Sequence, residues 1–231
     1  MTSLIVGFGE IGKALHKVLK DYYYVGIHDL NIGFEVDFQC EIMHICFPYS
    51  EEFVSEVKRY QELYKPKYTI IHSTVPVGTS RQCGAVFHPV IGQHPNLEKS
   101  FFAFKQFFGG KDVHNVIDYF RRVGMNIHIE DNAEPLEIGK LGLTTQYSLN
   151  IEYIKDLKKQ YDKIKAPFSV YNLMVQVYNG GYEKIGFPEY KLPILNPIQK
   201  KQGGHCTIPN CDLWDTPFTS LIKELNNKYE T

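Results

Sequence analysis

The sequence predicts an α/β fold: a doubly wound, mostly parallel sheet followed by a small all-helical C-terminal domain. Three observations carry that prediction. From Met1 to about Asp131, short β-rich runs alternate with amphipathic stretches, as βαβ units require. Several of those runs are apolar on both faces, Ile42-Met43-His44-Ile45-Cys46-Phe47 and Tyr68-Thr69-Ile70-Ile71 among them, which suits strands covered by helices on either side. After Asp131 the β-rich runs stop and apolar spacings of three and four take over. The expected division is therefore 1–131 for the sheet domain and 132–231 for the helical domain.

Taken in order, the expected strands are Ser3 to Val6, Tyr23 to His28, Ile42 to Phe47, Tyr68 to Ser73, Gly84 to His88, Gln106 to Gly109 and Asn126 to Ile129. Between them Ile11 to Lys20, Glu51 to Tyr64 and Val113 to Val123 carry apolar residues at helical spacing. A long helix is expected from near Asn132 to about Lys163. Glu134, Pro135 and Glu137 suit its first turn, because carboxylates favour the positive end of the helix dipole and proline's φ is already helical. Further helices are expected after Pro167 to about Asn179 and from Pro217 to Tyr229. Gly180 to Asp215, rich in glycine and proline, reads as an irregular region of a length that is usually functional.

The 231 residues, 43% hydrophobic and 22% charged, provide one core and an appendage. The balance of 25 basic against 26 acidic residues gives no electrostatic ground for a nucleic-acid or membrane-surface partner, so a small-molecule ligand is expected. No apolar run approaches the roughly 20 residues of a membrane span, and no basic leader precedes the first strand, which points to the cytoplasm. Five cysteines at irregular spacing read as reduced thiols. His205, Cys206 and Cys211 lie close in sequence, but no second ligand pair with zinc spacing accompanies them, and no metal is expected.

The chemistry begins at Gly7-Phe8-Gly9-Glu10-Ile11-Gly12, a G-x-G-x-x-G pattern that follows the first strand and opens the first helix. Gly7 makes the tight turn, Gly9 admits a pyrophosphate to the backbone and Gly12 permits close helix packing, the fingerprint of a Rossmann-type dinucleotide site. The helix from Glu10 then aims its N–H groups at the phosphates. Asp29 closes the second strand, 17 residues beyond Gly12, where an acidic side chain accepts hydrogen bonds from ribose hydroxyls. With no Arg or Lys beside Asp29, the expected cofactor is NAD rather than NADP. The third and fourth strands end in Phe47-Pro48 and Ser73-Thr74, which the parallel topology places along the same groove.

Ser73-Thr74-Val75-Pro76-Val77-Gly78-Thr79 resembles the S-T-V-P-P-G-T segment of the UDP-glucose/GDP-mannose dehydrogenase family, part of the wider 6-phosphogluconate dehydrogenase-like group. Glu137-Ile138-Gly139-Lys140 resembles that family's E-L-x-K, and Gly203-Gly204-His205-Cys206 its G-G-x-C. The resemblance implies a catalytic set of Lys140, Cys206 and Thr74: a lysine that stabilises oxyanions and a cysteine that attacks an aldehyde formed in a first oxidation, its thiolate favoured by a neighbouring cation. The chain departs from the pattern at Thr144, where the family has asparagine, at Asn210, where it has aspartate, and at Pro89-Val90, where it has P-E. The stretch Thr207-Ile208-Pro209 is one residue longer than the usual C-x-P, and the family's C-terminal nucleotide-binding domain has no counterpart in the sequence.

Phe87-His88-Pro89-Val90-Ile91-Gly92 resembles instead the H-P-M-x-G motif of prephenate dehydrogenases, which implies a two-electron dehydrogenase with His88 polarising the substrate hydroxyl. His94-Pro95 extends the same loop. A third reading is an NAD-binding module without catalysis. His28, His44 and His72 sit within strand runs and are expected to be buried and hydrogen-bonded. The C-terminal helices are the expected place for substrate contacts or for pairing with a second subunit, as resembles the dimers of this superfamily.

Overall fold

The computed structural model describes residues 1–31, 39–92, 95–204 and 206–229. His94 and His205 lie outside the described residues. Residues 1–140 and 141–231 form two compact units.

The first unit alternates as the sequence predicts: β1 (Thr2–Val6), α1 (Glu10–Leu19), β2 (Tyr24–His28), β3 (Ile42–Ile45), α2 (Phe53–Tyr64), β4 (Tyr68–Ile71), α3 (Thr79–Gln82), β5 (Val86–Phe87), α4 (Leu97–Ala103), β6 (Gln106–Gly109), α5 (Val113–Arg122) and β7 (Ile127–Glu130). The short helices α3 and α4 are additions to the predicted set. The strands form one sheet in the order β2-β1-β3-β4-β5-β6-β7, parallel throughout except where β5 meets β6. Strand order runs from β1 to β2 on one side and from β1 to β3 and onward on the other, which makes the carboxyl ends of β1 and β3 the switch point where ligands bind in such sheets.

Strand residues alternate between two cores. Ile5, Ile42, Ile70, Val86 and Phe108 pack with Leu15 of α1 and Val116 and Phe120 of α5. Leu4, Val6, Met43, Ile45, Ile71 and Phe87 pack with Phe53 and Val57 of α2 on the other face. Both faces are apolar because both are covered, which is why these strands read as continuous hydrophobic runs.

The long helix is α6 (Glu134–Lys163). The division between the two units falls inside this helix, after Lys140, and Glu137 and Lys140 in its first two turns bond to Gly78, Ser80 and Val90 of the sheet unit. The second unit continues with α7 (Ser169–Lys184), a 3-10 turn at Pro188–Tyr190, α8 (Ile208–Cys211) and α9 (Pro217–Asn226). Thus α7 runs through Gly180 and Gly181, beyond the expected end, with Tyr178 and Tyr182 one turn apart and their rings 4.7 Å from each other. A capping box of Thr216 and Thr219 with Pro217 starts α9. Trp214 Nε1 donates to Thr145 Oγ1 at 3.1 Å and ties that corner to α6. Among the described residues no helix is long and apolar enough to cross a membrane.

Candidate functional site

At the end of β1 the chain turns at Gly7, whose φ of 93° lies in the left-handed region that favours glycine. A Cβ on Gly7 would lie 2.7 Å from the Phe47 backbone nitrogen, and one on Gly12 would lie 2.1 Å from the Gly7 carbonyl oxygen. Both positions are closed to a side chain. Gly9 differs: a Cβ there meets nothing within 4 Å, and the residue is an exposed N-cap that gives α1 no side-chain cap. The turn is tight where it faces protein and open where it faces outward. Into that opening the start of α1 directs backbone donors and the positive end of its dipole, the donor set that suits a pyrophosphate.

Asp29 completes the turn. Gly7 N donates to the His28 carbonyl at 2.8 Å, Phe8 N to Asp29 Oδ2 at 2.6 Å and Asn31 N to Asp29 Oδ1 at 2.9 Å. The Phe8 amide, followed by that of Asn31, holds the Asp29 carboxyl below its usual range, so it is anionic at neutral pH. Each carboxylate oxygen keeps a further lone pair, enough to accept from a pair of hydroxyls.

The next strand ends carry the remaining predicted residues of this unit. Phe47 is half-buried, its ring 5.0 Å from Phe53, and Pro48 is exposed. Ser73 Oγ donates to the Phe47 carbonyl at 2.5 Å, which joins the β3 and β4 turns, and Thr74 beside it is half-buried. The segment Ser73 to Thr79 is locked from below by Glu137, fully buried, whose two carboxylate oxygens accept from Gly78 N at 2.5 Å and Ser80 N at 2.9 Å. Three residues along α6, Lys140 Nζ donates to the Val90 carbonyl at 2.8 Å. The two ends of the Glu137-to-Lys140 segment therefore hold the β4 and β5 turns respectively, a role for Glu137 that the sequence alone does not identify.

Beneath these turns a row of buried polar side chains crosses the sheet. His44 Nδ1 and His72 Nε2 are 3.0 Å apart, His72 Nδ1 and His88 Nδ1 2.8 Å, and His88 Nε2 and Gln106 Oε1 3.0 Å. At the other end His44 Nε2 lies 3.2 Å from the Tyr119 hydroxyl, itself 2.7 Å from Ser3 Oγ. Burial pushes His44 down to about 3, His88 to about 4 and His72 well below the usual histidine range, so all three are neutral at pH 7. His44 and His72 are buried and bonded as expected. His88 is equally buried, with both ring nitrogens engaged and its ring stacked 4.3 Å from Phe108, so no nitrogen of it faces outward.

In the second unit Cys206 is the one exposed cysteine of the five. Its loop is pinned on both sides. Before it, Gln202 N donates to Asn226 Oδ1 at 2.7 Å and Gln202 Nε2 donates to the Ser148 carbonyl at 3.0 Å and Glu152 Oε1 at 2.7 Å. After it, Asn210 Nδ2 donates to the Cys206 carbonyl at 3.0 Å. Thr144 Oγ1 donates to the Leu141 carbonyl at 3.0 Å. Burial pushes the thiols of Cys40 and Cys83 up to about 11 and that of Cys46 higher still, which leaves them inert. Among the described residues no cluster of His, Cys, Asp and Glu has the make-up of a metal site.

No family model matches the chain, and no curated protein matches it. Solved structures do. The UDP-D-ManNAc dehydrogenase of Pyrococcus horikoshii is 16% identical over 99% of this chain and 68% of its own, with a TM-score of 0.70. The UDP-N-acetyl-mannosamine dehydrogenase of Staphylococcus aureus is 15% identical over the same shares, with a TM-score of 0.73. The 3-hydroxyisobutyrate dehydrogenase of Mycobacterium tuberculosis is 14% identical over 98% of this chain and 92% of its own, with a TM-score of 0.68. At such identities the likeness establishes the fold, a Rossmann-type sheet followed by helices, and the sugar-nucleotide dehydrogenases that the Ser73 to Thr79 segment resembles are among the proteins that share it.

Proposed function

We propose that residues 1–140 bind NAD along the carboxyl edge of the sheet and that the protein is an oxidoreductase for a hydroxyl-bearing metabolite, with nucleotide sugars as the first class to test. One observation carries this reading: within a single turn Gly7 and Gly12 are packed shut while Gly9 is open and uncapped, beside an anionic Asp29. Phe8, Glu10 and Ile11 complete the backbone cradle. Phe47, Pro48, Ser73 and Thr74 form the adjoining wall. The Asp29 carboxylate suits the ribose hydroxyls of NAD and would repel the extra phosphate of NADP.

NAD supplies the hydride-accepting carbon when bound. Oxidation of a carbinol removes a hydride from carbon and a proton from oxygen. Lys140, held by the Val90 carbonyl, would set its positive charge against that oxygen as negative charge develops there. Cys206, an exposed thiol on a loop pinned at both sides, is suited to add to an aldehyde and form a thiohemiacetal. A route through His88 requires a ring nitrogen directed at substrate, and both of its nitrogens are bonded to His72 and Gln106.

The test is NADH formation at 340 nm across a panel of nucleotide sugars and hydroxy acids, beside calorimetric titration with NAD. Saturable NAD binding with NADH formation on one substrate class is expected. Binding without turnover on the whole panel would favour the non-catalytic module, and absence of NAD binding would sink both. Cys206→Ser then separates the two oxidation steps: loss of turnover on the aldehyde with NAD affinity intact supports the covalent route, and full activity rejects it.

We further propose that the helical unit pairs with a second copy of this chain. Val170, Leu173, Met174, Val177 and Tyr178 are exposed on α7 at spacings of three and four, an apolar stripe of the kind that packs against another helix. Light scattering on a size-exclusion column is expected to give twice the chain mass, and a monomer for Leu173→Glu. A wild-type monomer at micromolar concentration rejects the pairing.

A further inference from the structure

The buried row below the strand ends has only one way to arrange its protons, and Gln106 decides which. Gln106 Nε2 donates to two backbone carbonyls, Ser100 O at 3.1 Å and Phe104 O at 2.9 Å, so its amide cannot be turned over without setting oxygen against oxygen. Its Oε1 must then accept, which obliges His88 to carry its proton on Nε2 and leaves Nδ1 as an acceptor. His72 must therefore donate from Nδ1, His44 must donate from Nδ1 to His72 Nε2, and the Tyr119 hydroxyl must donate to His44 Nε2 while accepting from Ser3. Five successive bonds point the same way.

The row has a definite place in the sheet. Ile70 pairs with Val86 and Ile71 with Phe87, so His72 and His88 stand at matching positions just past β4 and β5. His72 is followed directly by Ser73 and Thr74, and His88 by Pro89 and Val90, whose carbonyl receives Lys140. The His72–His88 bond is thus the last cross-strand link before the two turns diverge. Between these two strands His88 N donates to the Ile71 carbonyl at 2.9 Å, and the side chains add a second, directional tie.

We infer that Gln106 orders the protons of three neutral histidines into a single-polarity row, and that His72 and His88 act as positioning residues that hold the Thr74 turn against the Val90–Lys140 turn. The positioning role rests on the reading of those turns as the reactive edge, whereas the proton arrangement stands without it. A row so ordered is a brace and not a proton conduit, because passing a proton along it would require every bond to reverse and Gln106 has no second orientation.

The experiment is a histidine ring-nitrogen spectrum of the full chain at pH 7.5, with resonances assigned by single substitutions. His44 and His72 are expected as Nδ1–H tautomers and His88 as Nε2–H, all neutral. Any other pattern, or an imidazolium among the three, overturns the arrangement, and this measurement needs no variant in the row to fold. Positioning is read in Gln106→Met by backbone amide shifts. Expected are a mixed tautomer at His88 and displaced amides at Thr74 and Val90. Unmoved Thr74 and Val90 amides with a released His88 tautomer overturn positioning. His88→Asn, which keeps an acceptor where Nδ1 stood, is expected to preserve the His72 Nδ1–H signal, and His88→Leu to lose it; equal loss in both also overturns positioning. Failure of the oxidoreductase reading shows separately, as wild-type protein that does not bind NAD.

Discussion

Each unit contains a buried polar cluster, and the two are built differently. In the sheet unit the row from Ser3 to Gln106 is neutral, and every side-chain nitrogen and oxygen in it has a partner. In the helical unit the buried group is an ion pair, Glu152 with Lys155 at 2.8 Å, both side chains 0–1% exposed, with the Lys155 ammonium 3.6 Å above the Tyr229 ring. There Glu152 Oε2 and Gln202 Oε1 have no hydrogen-bond partner among the described residues. A neutral ladder fits strands whose spacing brings side chains together at every position, and it costs little desolvation. A buried ion pair on one helix face draws its strength from the pair itself, so losing one member leaves the other charge stranded.

The largest predicted effect follows from that asymmetry. Lys155→Met should destabilise the helical unit by about 3–5 kcal/mol, because Glu152 is left buried and charged. Adding Glu152→Leu should recover most of the loss, since replacing both partners with apolar groups removes the stranded charge. Urea unfolding followed by circular dichroism measures both. A double variant as unstable as the single would mean that the pair acts through packing.

A second comparison lies inside the glycine turn. Gly12→Ala drives a Cβ to 2.1 Å from the Gly7 carbonyl and should cost about 1–3 kcal/mol or more. The Cβ of Gly9→Val meets no protein atom within 4 Å, and the substitution should cost about 1 kcal/mol or less. Calorimetry should nevertheless show at least a tenfold loss of NAD affinity for Gly9→Val. A stable Gly9→Val that still binds NAD would remove the main support for the cofactor assignment.

How much of this was readable in the sequence follows from how local each feature is. The seven strands and the helices α1, α2, α5, α6 and α9 announce themselves by period and by turn residues close in sequence. The helices α3 and α4 do not, because four residues after Gly78 and seven after Asn96 are too few to display a period. The Gly7 to Gly12 turn and Asp29 are readable because one βαβ unit contains them. Glu137 reads only as half of a motif, since its partners Gly78 and Ser80 are reached by the fold and not by spacing. The face on which His44, His72, His88 and Gln106 sit is implied by alternation with Ile42, Ile70, Val86 and Phe108. That they join into one row depends on strand register, which no single strand encodes.

The row also predicts where acid acts first. His44, His72 and His88 are held below the 6.5 of an unfolded histidine, so on acidification the unfolded chain takes up protons before the folded chain does. Their contribution is fully present above about pH 6.5 and declines as pH falls toward 4, by on the order of 1.4 kcal/mol per pH unit for each histidine. The groups facing the row are Ser3 of β1, Tyr119 of α5, Gln106 of β6 and the Lys140 charge from α6, and the last of these presses His88 further down. No carboxylate among the described residues bonds to the row to offset the effect. Every histidine except His205 lies in residues 1–140, so amides of β3 and β4 should lose exchange protection between pH 7 and 5 before those of α6. Simultaneous loss in both units would break the contrast between them.

The smallest expected effect on stability concerns the cysteines, and it sharpens the same contrast of buried against exposed. Cys40, Cys46, Cys83 and Cys211 are buried, and burial raises the pKa of each, so in the folded chain they are withheld from electrophiles both by access and by protonation. Cys206 is exposed and stands between the Gln202 anchor and the Asn210 bond, so its removal opens no cavity and leaves no polar atom unpaired. Cys206→Ser should change unfolding free energy by no more than about 0.5 kcal/mol, as surface substitutions do. Iodoacetamide should modify a single thiol in the native protein and all five in urea, and Cys206→Ser should abolish the native reaction. A second thiol reacting at the same rate would mean that one of the four buried sites opens under native conditions, and that the helical unit's exposed thiol is not distinguished from the rest by access.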